Sequence, residues 1–157
     1  MSHKISRRRA LTRLTALASG VLVAHGSSAQ TKIPIAVYKD KSCGCCHQWV
    51  EHMKASGFAA TVTDTSNLAP IKSRYKVPSK LESCHTAIVG TYVIEGHVPA
   101  SDVKTLLARK PAGVVGLSIP GMPRSAPGMD LEPFQPYTVL TFDAKGATTV
   151  FARHEKA

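Results

Sequence analysis

The sequence predicts a single α/β domain, and three observations carry that prediction. Short apolar runs rich in β-branched residues alternate with segments of helical period. Three cysteines crowd directly after the first of those runs, in "KDKSCGCCHQWVEHMKASGF". A stretch dense in proline and glycine then separates this alternating part from a last pair of strand-like segments. That order calls for one sheet covered by helices and followed by an irregular extension.

Each element has its own signature. "KIPIAVYK" (32–39) reads as a buried strand, and the polar "DKSCG" as a turn. From Cys45 to about Ser56 the pattern is helical, with Cys46, Trp49, Val50 and Met53 on one face and Gly57 as the stop. "FAATVTDT" is a second strand, and "NLAPIKSRYKVP" a short helix entered through Asn67. "CHTAIVGTYVIEG" reads as two strands about a tight turn at Gly90. "VPASDVKTLLARK" is a third helix with a proline entry, Ser101 as N-cap and a Val103/Leu106/Leu107 stripe. The order β-α-β-α-β-β-α, with thiols after the first strand, is that of a thioredoxin-like domain, placed at 30–110. Residues 111–157 form the extension. In 111–136, 10 of 26 residues are Pro or Gly, which predicts a loop with defined turns and no strand. "YTVLTFDAKGATTVFARHE" closes the chain as a hairpin turning at Asp143 to Gly146.

Residues 1–29 are read as a signal peptide. A basic start, an apolar run of only 11 residues (Leu14 to Ala24) and the small-residue site Ser27-Ser28-Ala29 stand in that order. The run is too short to span a bilayer. Ser6-Arg7-Arg8-Arg9-Ala10-Leu11 approximates a twin-arginine signal, with Ala10 where Phe is usual. The expected location is therefore periplasmic. Removing this segment leaves 15 basic and 10 acidic residues, net +5 instead of the +10 of the whole chain. The remaining basic residues are scattered, which argues against a nucleic-acid partner. A monomer without stable membrane insertion is expected.

An exported chain with four cysteines ordinarily suggests two disulfides. Here Cys43, Cys45 and Cys46 are concentrated at one place, and only Cys84 is remote. Cys43 and Cys46 make a C-x-x-C at a helix start, where unpaired N–H groups and the helix dipole stabilise a thiolate. Cys45 has no use in simple disulfide exchange. One zinc ion also fits poorly, because successive helical residues point about 100° apart. Divergent sulfurs suit several bridged ions better than one, and soft thiolates select Cu(I). The spacings usual for iron–sulfur ligation are absent. Cys84-His85 precedes a strand expected to approach the first helix's start, and Met122 and Met129 offer thioethers from the extension. The candidate metal residues are thus Cys43, Cys45, Cys46, Cys84, His85, Met122 and Met129. His47 reads as solvent-facing, His52 as exposed or capping, His97 as structural, Met53 as core and Trp49 as an anchor.

"CGCCHQWVEHM", "SCHTAIVG", "EGHVPA" and "PGMPRSAPGM", in this order, resemble the CopG-type copper-resistance proteins, a bacterial family long catalogued as a domain of unknown function. The resemblance implies a thioredoxin-like domain whose C-terminal extension helps to bind metal. It also implies a cysteine-bridged multinuclear copper cluster on Cys43, Cys45, Cys46 and Cys84, and interconversion of Cu(I) and Cu(II) in copper detoxification. The chain departs from the family pattern at Arg124-Ser125-Ala126, where a glycine is expected. Three functions follow as expectations: a copper oxidoreductase, a non-catalytic protein delivering Cu(I) to an efflux system, or a thiol–disulfide oxidoreductase. An efflux system or a redox protein would be the partner.

Overall fold

The computed structural model describes residues 31–156. The expected signal peptide lies outside the described residues. The elements are β1 (Ile33–Lys39), α1 (Gly44–Ala55), β2 (Phe58–Asp64), α2 (Ala69–Arg74), a 3₁₀ turn (Ser79–Leu81), β3 (His85–Val89), β4 (Tyr92–Glu95), α3 (Ala100–Arg109), β5 (Val114–Ser118), β6 (Tyr137–Asp143) and β7 (Thr148–His154). Through α3 this is the predicted β-α-β-α-β-β-α order. All strands join one sheet in the order β2-β1-β3-β4-β5-β6-β7. The pairs β1–β2 and β4–β5 are parallel and the others antiparallel. The α/β class holds, and the β2-β1-β3-β4 arrangement is compatible with the thioredoxin-like expectation.

Helices cover both faces. Trp49, Val50 and Met53 of α1 and Val103 and Leu106 of α3 pack with Ile35, Val37, Ala87, Val89, Ile94 and Leu117 in the main core. Val77 and Leu81 pack with Val93 and Phe142 on the other side. Strand alternation explains the division, since Val93 and Ile94 point to opposite faces. The α1 stripe read from the sequence is the buried one: Cys46, Trp49, Val50 and Met53. Trp49 anchors it as expected, fully buried and donating from Nε1 to the Val98 carbonyl at 2.9 Å. The α2 entry also stands, with Ala69 N–H donating to Asn67 Oδ1 at 3.1 Å.

Two local expectations are corrected. Val114–Ser118 is a strand and not loop, because the apolar "VVGLS" follows the α3 crossover and pairs in parallel with β4. The proline and glycine content of the wider stretch hides this five-residue run. A register shift between Val114 and Gly116 turns Val115 toward the second core. Gly116 is bare for a reason, as a Cβ would lie 2.1 Å from the Val93 carbonyl oxygen and 2.7 Å from the Phe142 ring. Ser101 is not the N-cap of α3; Pro99 holds that position, and Ala100 N–H instead donates to His52 Nε2 at 3.1 Å. His52 is therefore a cap in trans for α3, one of the roles read for it.

The terminal hairpin forms and extends the same sheet through β6 on β5. Its turn is closed by Asp143, whose Oδ1 accepts from Lys145 N–H at 2.9 Å and Ala147 N–H at 2.8 Å. Among the described residues no helix is long and apolar enough to cross a membrane.

Candidate metal centre

Strand direction gathers the site at one end of the sheet. Lys39, the last residue of β1, pairs with His85, the first of β3, so Cys84 arrives beside the turn that carries Cys43. The β3–β4 hairpin pairs Thr86 with Glu95, which brings Gly96 and His97 back to the same end. Ser118, the last residue of β5, pairs with Glu95, so the extension leaves from there too.

The turn between β1 and α1 is organised by Asp40. Its Oδ1 accepts from Ser42 N–H at 2.7 Å and Ser42 Oγ at 2.5 Å, which holds the carboxyl below its usual range. Cys43 then caps α1, its sulfur accepting from Cys46 N–H at 3.3 Å. Cys43 and Cys46 are joined as a disulfide, while Cys45 and Cys84 are free. This is the C-x-x-C pair of the thiol–disulfide alternative. The C-x-x-C geometry brings the two Cα atoms to 5.3 Å, within the ordinary span of a disulfide. Cys45 Sγ lies 3.5 Å from Cys43 Sγ.

All four cysteine sulfurs fall within 4.8 Å of one another. With metal–thiolate bonds of about 2.3 Å, one ion bridges sulfurs up to about 4.6 Å apart, so chelation needs little movement of the chain. Burial, and then the neighbouring Cys45, push the Cys84 thiol up to about 11. A metal must therefore displace a proton to reach that sulfur.

Behind Cys84 lies a buried polar network. Glu95 is fully buried, pairs with the buried Lys72 ammonium, and accepts from Thr86 Oγ1 at 2.7 Å. The same carboxylate accepts from Ser83 N–H at 2.6 Å, which fixes the backbone just before Cys84. Burial pushes the Glu95 carboxyl up, and the Lys72 charge opposes this. Gly96 completes the fit: at φ +73° a Cβ there would stand 2.6 Å from Ser83 Oγ.

The histidines divide by environment. His85 is fully buried between Trp49 (ring centroids 4.3 Å apart) and His97 (4.9 Å). Burial, then His97 and Lys72, hold it well below the usual imidazole range, so it is neutral. Its Nδ1 lies 3.7 Å from Cys84 Sγ, and its Nε2 finds no hydrogen-bond partner among the described residues.

His97 belongs to the site more closely than the structural role read for it. Its Nε2 is 3.0 Å from Cys84 Sγ and its Nδ1 is 2.8 Å from the Pro127 carbonyl oxygen. A carbonyl only accepts, so Nδ1 carries the proton and Nε2 turns its lone pair to the sulfur. Burial lowers its pKa, favouring this neutral form. The signal was in the hairpin: with Thr86 opposite Glu95, stepping two residues outward on both strands sets Cys84 opposite His97. His47 is exposed as expected, its Nδ1 donating to the Cys43 carbonyl at 3.1 Å.

The extension crosses the site. Gly128 lies so close to α1 that a Cβ would meet Trp49 N at 2.6 Å and the Cys45 carbonyl oxygen at 2.8 Å, and its φ is +86°. Ala126, in the stretch where the chain departs from the family pattern, is fully buried in the main core. Met129 is half-buried in the turn closed by its own N–H on the Ala126 carbonyl at 2.9 Å. Met122 is 57 % exposed and lines an open pocket of about 380 Å³ with Glu82, Ser83, Cys84 and Gly121. A larger depression of about 670 Å³, at Asp40–Ser42 and Asp64–Ser66, carries none of the sulfurs.

Comparison with known proteins decides the family. A solved chain titled "Copper resistance protein copG- Form 1" is 36 % identical, with TM-score 0.74; the match covers 80 % of this chain and 99 % of that one. The chain belongs to the CopG family. A second solved structure, "Copper resistance protein copG- Form 2", agrees at 37 % identity, TM-score 0.73, and 78 % and 98 % coverage. The family model described as "Protein of unknown function, DUF411" matches residues 81–129, from the Cys84 segment through Met129. No curated protein matches.

Proposed function

We propose that this protein binds copper, holding several ions on the bridging sulfurs of Cys43, Cys45, Cys46 and Cys84 and interconverting Cu(I) and Cu(II) in copper resistance. The observation that carries the reading is the meeting of four cysteine sulfurs within 4.8 Å, three of them from one helix start. The copper-resistance titles of the solved relatives point the same way. In this reading the Cys43–Cys46 disulfide is the oxidised, metal-poor form, and reduction supplies the full set of four thiolates. His85 and His97 flank Cys84 as neutral nitrogen donors, and Met122 and Met129 contribute thioethers from the extension. Copper is the substrate and cargo here; soft sulfur selects it over harder cations.

The protein acts in the periplasm after removal of residues 1–29. The test is elemental analysis of protein from copper-supplemented cells, followed by redox cycling under visible absorption. Several copper ions per chain and a reversible spectral change support the reading. One zinc ion per chain overturns it, and a fixed oxidation state favours simple delivery to an efflux system.

The disulfide gives a second reading some footing. A thiol–disulfide oxidoreductase using Cys43 and Cys46 would reduce insulin disulfides without metal, and Cys45→Ser would leave that activity intact.

A further inference from the structure

The four cysteines are not equivalent, and the disulfide shows how they divide. Cys43 and Cys46 close on each other across one helical turn without drawing in Cys45 or Cys84. A Cys45–Cys46 bridge is disfavoured because their side chains diverge from adjacent positions on the helix. The two free sulfurs remain in reach of one another, and Cys84 retains the His97 Nε2 lone pair at 3.0 Å. The carbonyl of Pro127 fixes that lone pair by accepting from Nδ1, the arrangement by which metal-binding imidazoles are commonly oriented. Two thiols and one imidazole are a donor set suited to Cu(I). Cys45 also stands 3.5 Å from Cys43, so an ion on Cys45 lies against the sulfur that can be oxidised.

We propose that Cys43 and Cys46 are the electron source of this centre, reducing Cu(II) as they close their disulfide, while Cys45, Cys84 and His97 retain Cu(I). The step balances as two Cu(II) plus the Cys43/Cys46 dithiol giving two Cu(I), one disulfide and two protons released to water. Each sulfur gives one electron; the S–S bond forms as the two S–H bonds are lost. The reaction stops after one round until a dithiol or another two-electron reductant reopens the disulfide. This rests on the copper-binding reading, and it explains why a C-x-x-C is combined with an interposed third thiol. Cys45 holds the product where a simple exchanger has none to hold.

The experiment uses metal-free protein reduced and then freed of reductant, titrated anaerobically with copper(II) sulfate. Electron paramagnetic resonance follows Cu(II), a chromogenic chelator counts Cu(I), and alkylation with peptide mapping locates the lost thiols. Two equivalents of Cu(II) signal should vanish per chain, with two thiols lost and the bridge mapped to Cys43–Cys46. Cys43→Ser should cut the reduction at least tenfold; serine is a favoured helix N-cap, so α1 is preserved. His97→Gln should release Cu(I) to the chelator at least tenfold faster. Persistent bound Cu(II) with four intact thiols overturns the inference, as does a bridge involving Cys45 or Cys84. Cu(I) supplied directly separates the two claims. Protein that binds Cu(I) yet fails to reduce Cu(II) sinks only this inference, whereas protein that binds neither sinks the copper reading as well.

Discussion

The two walls of the site are built in different ways. The α1 wall is local: Cys43, Cys45 and Cys46 lie within four residues, and a single turn held by Asp40 positions them. The β3–β4 wall is assembled over distance. Cys84 and His97 lie just beyond the open ends of the two strands of a hairpin, the Glu95–Lys72 pair holds the backbone before Cys84, and Pro127 orients His97 from the extension. The comparison teaches that the redox-labile sulfurs sit on the wall that needs little support. The sulfur with a nitrogen beside it sits on the wall that needs the whole fold.

The strongest way to break this contrast is to damage the distant support alone. Lys72→Met leaves Glu95 buried without its partner, and such a loss costs about 3–5 kcal/mol. Urea unfolding of the metal-free protein should show it, while Cys43 and Cys46 still form their bridge. A stability loss below about 1 kcal/mol would mean that the buried pair does little for this wall.

Closing the gap between extension and helix comes next. Gly128→Ala puts a Cβ against the Trp49 and Cys45 backbone and strains a φ of +86°. A cost of about 1–3 kcal/mol is expected from the backbone strain alone, together with faster proteolysis in 119–136. Unchanged protease resistance would show that the extension does not clasp α1 at this point.

Acidification sharpens the comparison further. His52, His85 and His97 all have pKa values lowered by burial from 6.5, so the unfolded chain binds more protons than the folded one as pH falls past that value. Stability of the metal-free protein should therefore fall as pH drops from 7 through about 6.5 toward the lowered folded values. His52→Gln, which can still accept from Ala100 N–H, should flatten that slope by its own share. A stability that rises on acidification over this window would contradict the neutral assignment. The smallest effect is expected at Met122, where replacement by Ala should change stability by less than about 0.5 kcal/mol, as at other exposed positions. Copper off-rates measured by chelator competition would then report any thioether contribution separately.

Legibility in the sequence follows the same division. The α1 stripe was readable because helical period alone selects Cys46, Trp49, Val50 and Met53. The thiol crowding was readable because it is contiguous. β5 was not, because its place depends on the β4 edge that it completes. Ser101 looked like a cap, but an imidazole from another helix took the α3 N–H group. The Cys43–Cys46 bridge depends on redox state, which residue spacing does not specify. His97 was legible in principle, through hairpin register, but a histidine after a glycine in a turn carries no chemical signal of its own.

The most direct test of the central claim is X-ray absorption at the copper edge on reduced protein loaded anaerobically with Cu(I). Shared sulfurs predict more than one copper per chain, a first shell dominated by sulfur, and a short copper–copper scattering path. A single isolated ion without a copper neighbour, or protein that stays metal-free with its thiols reduced, would contradict the account.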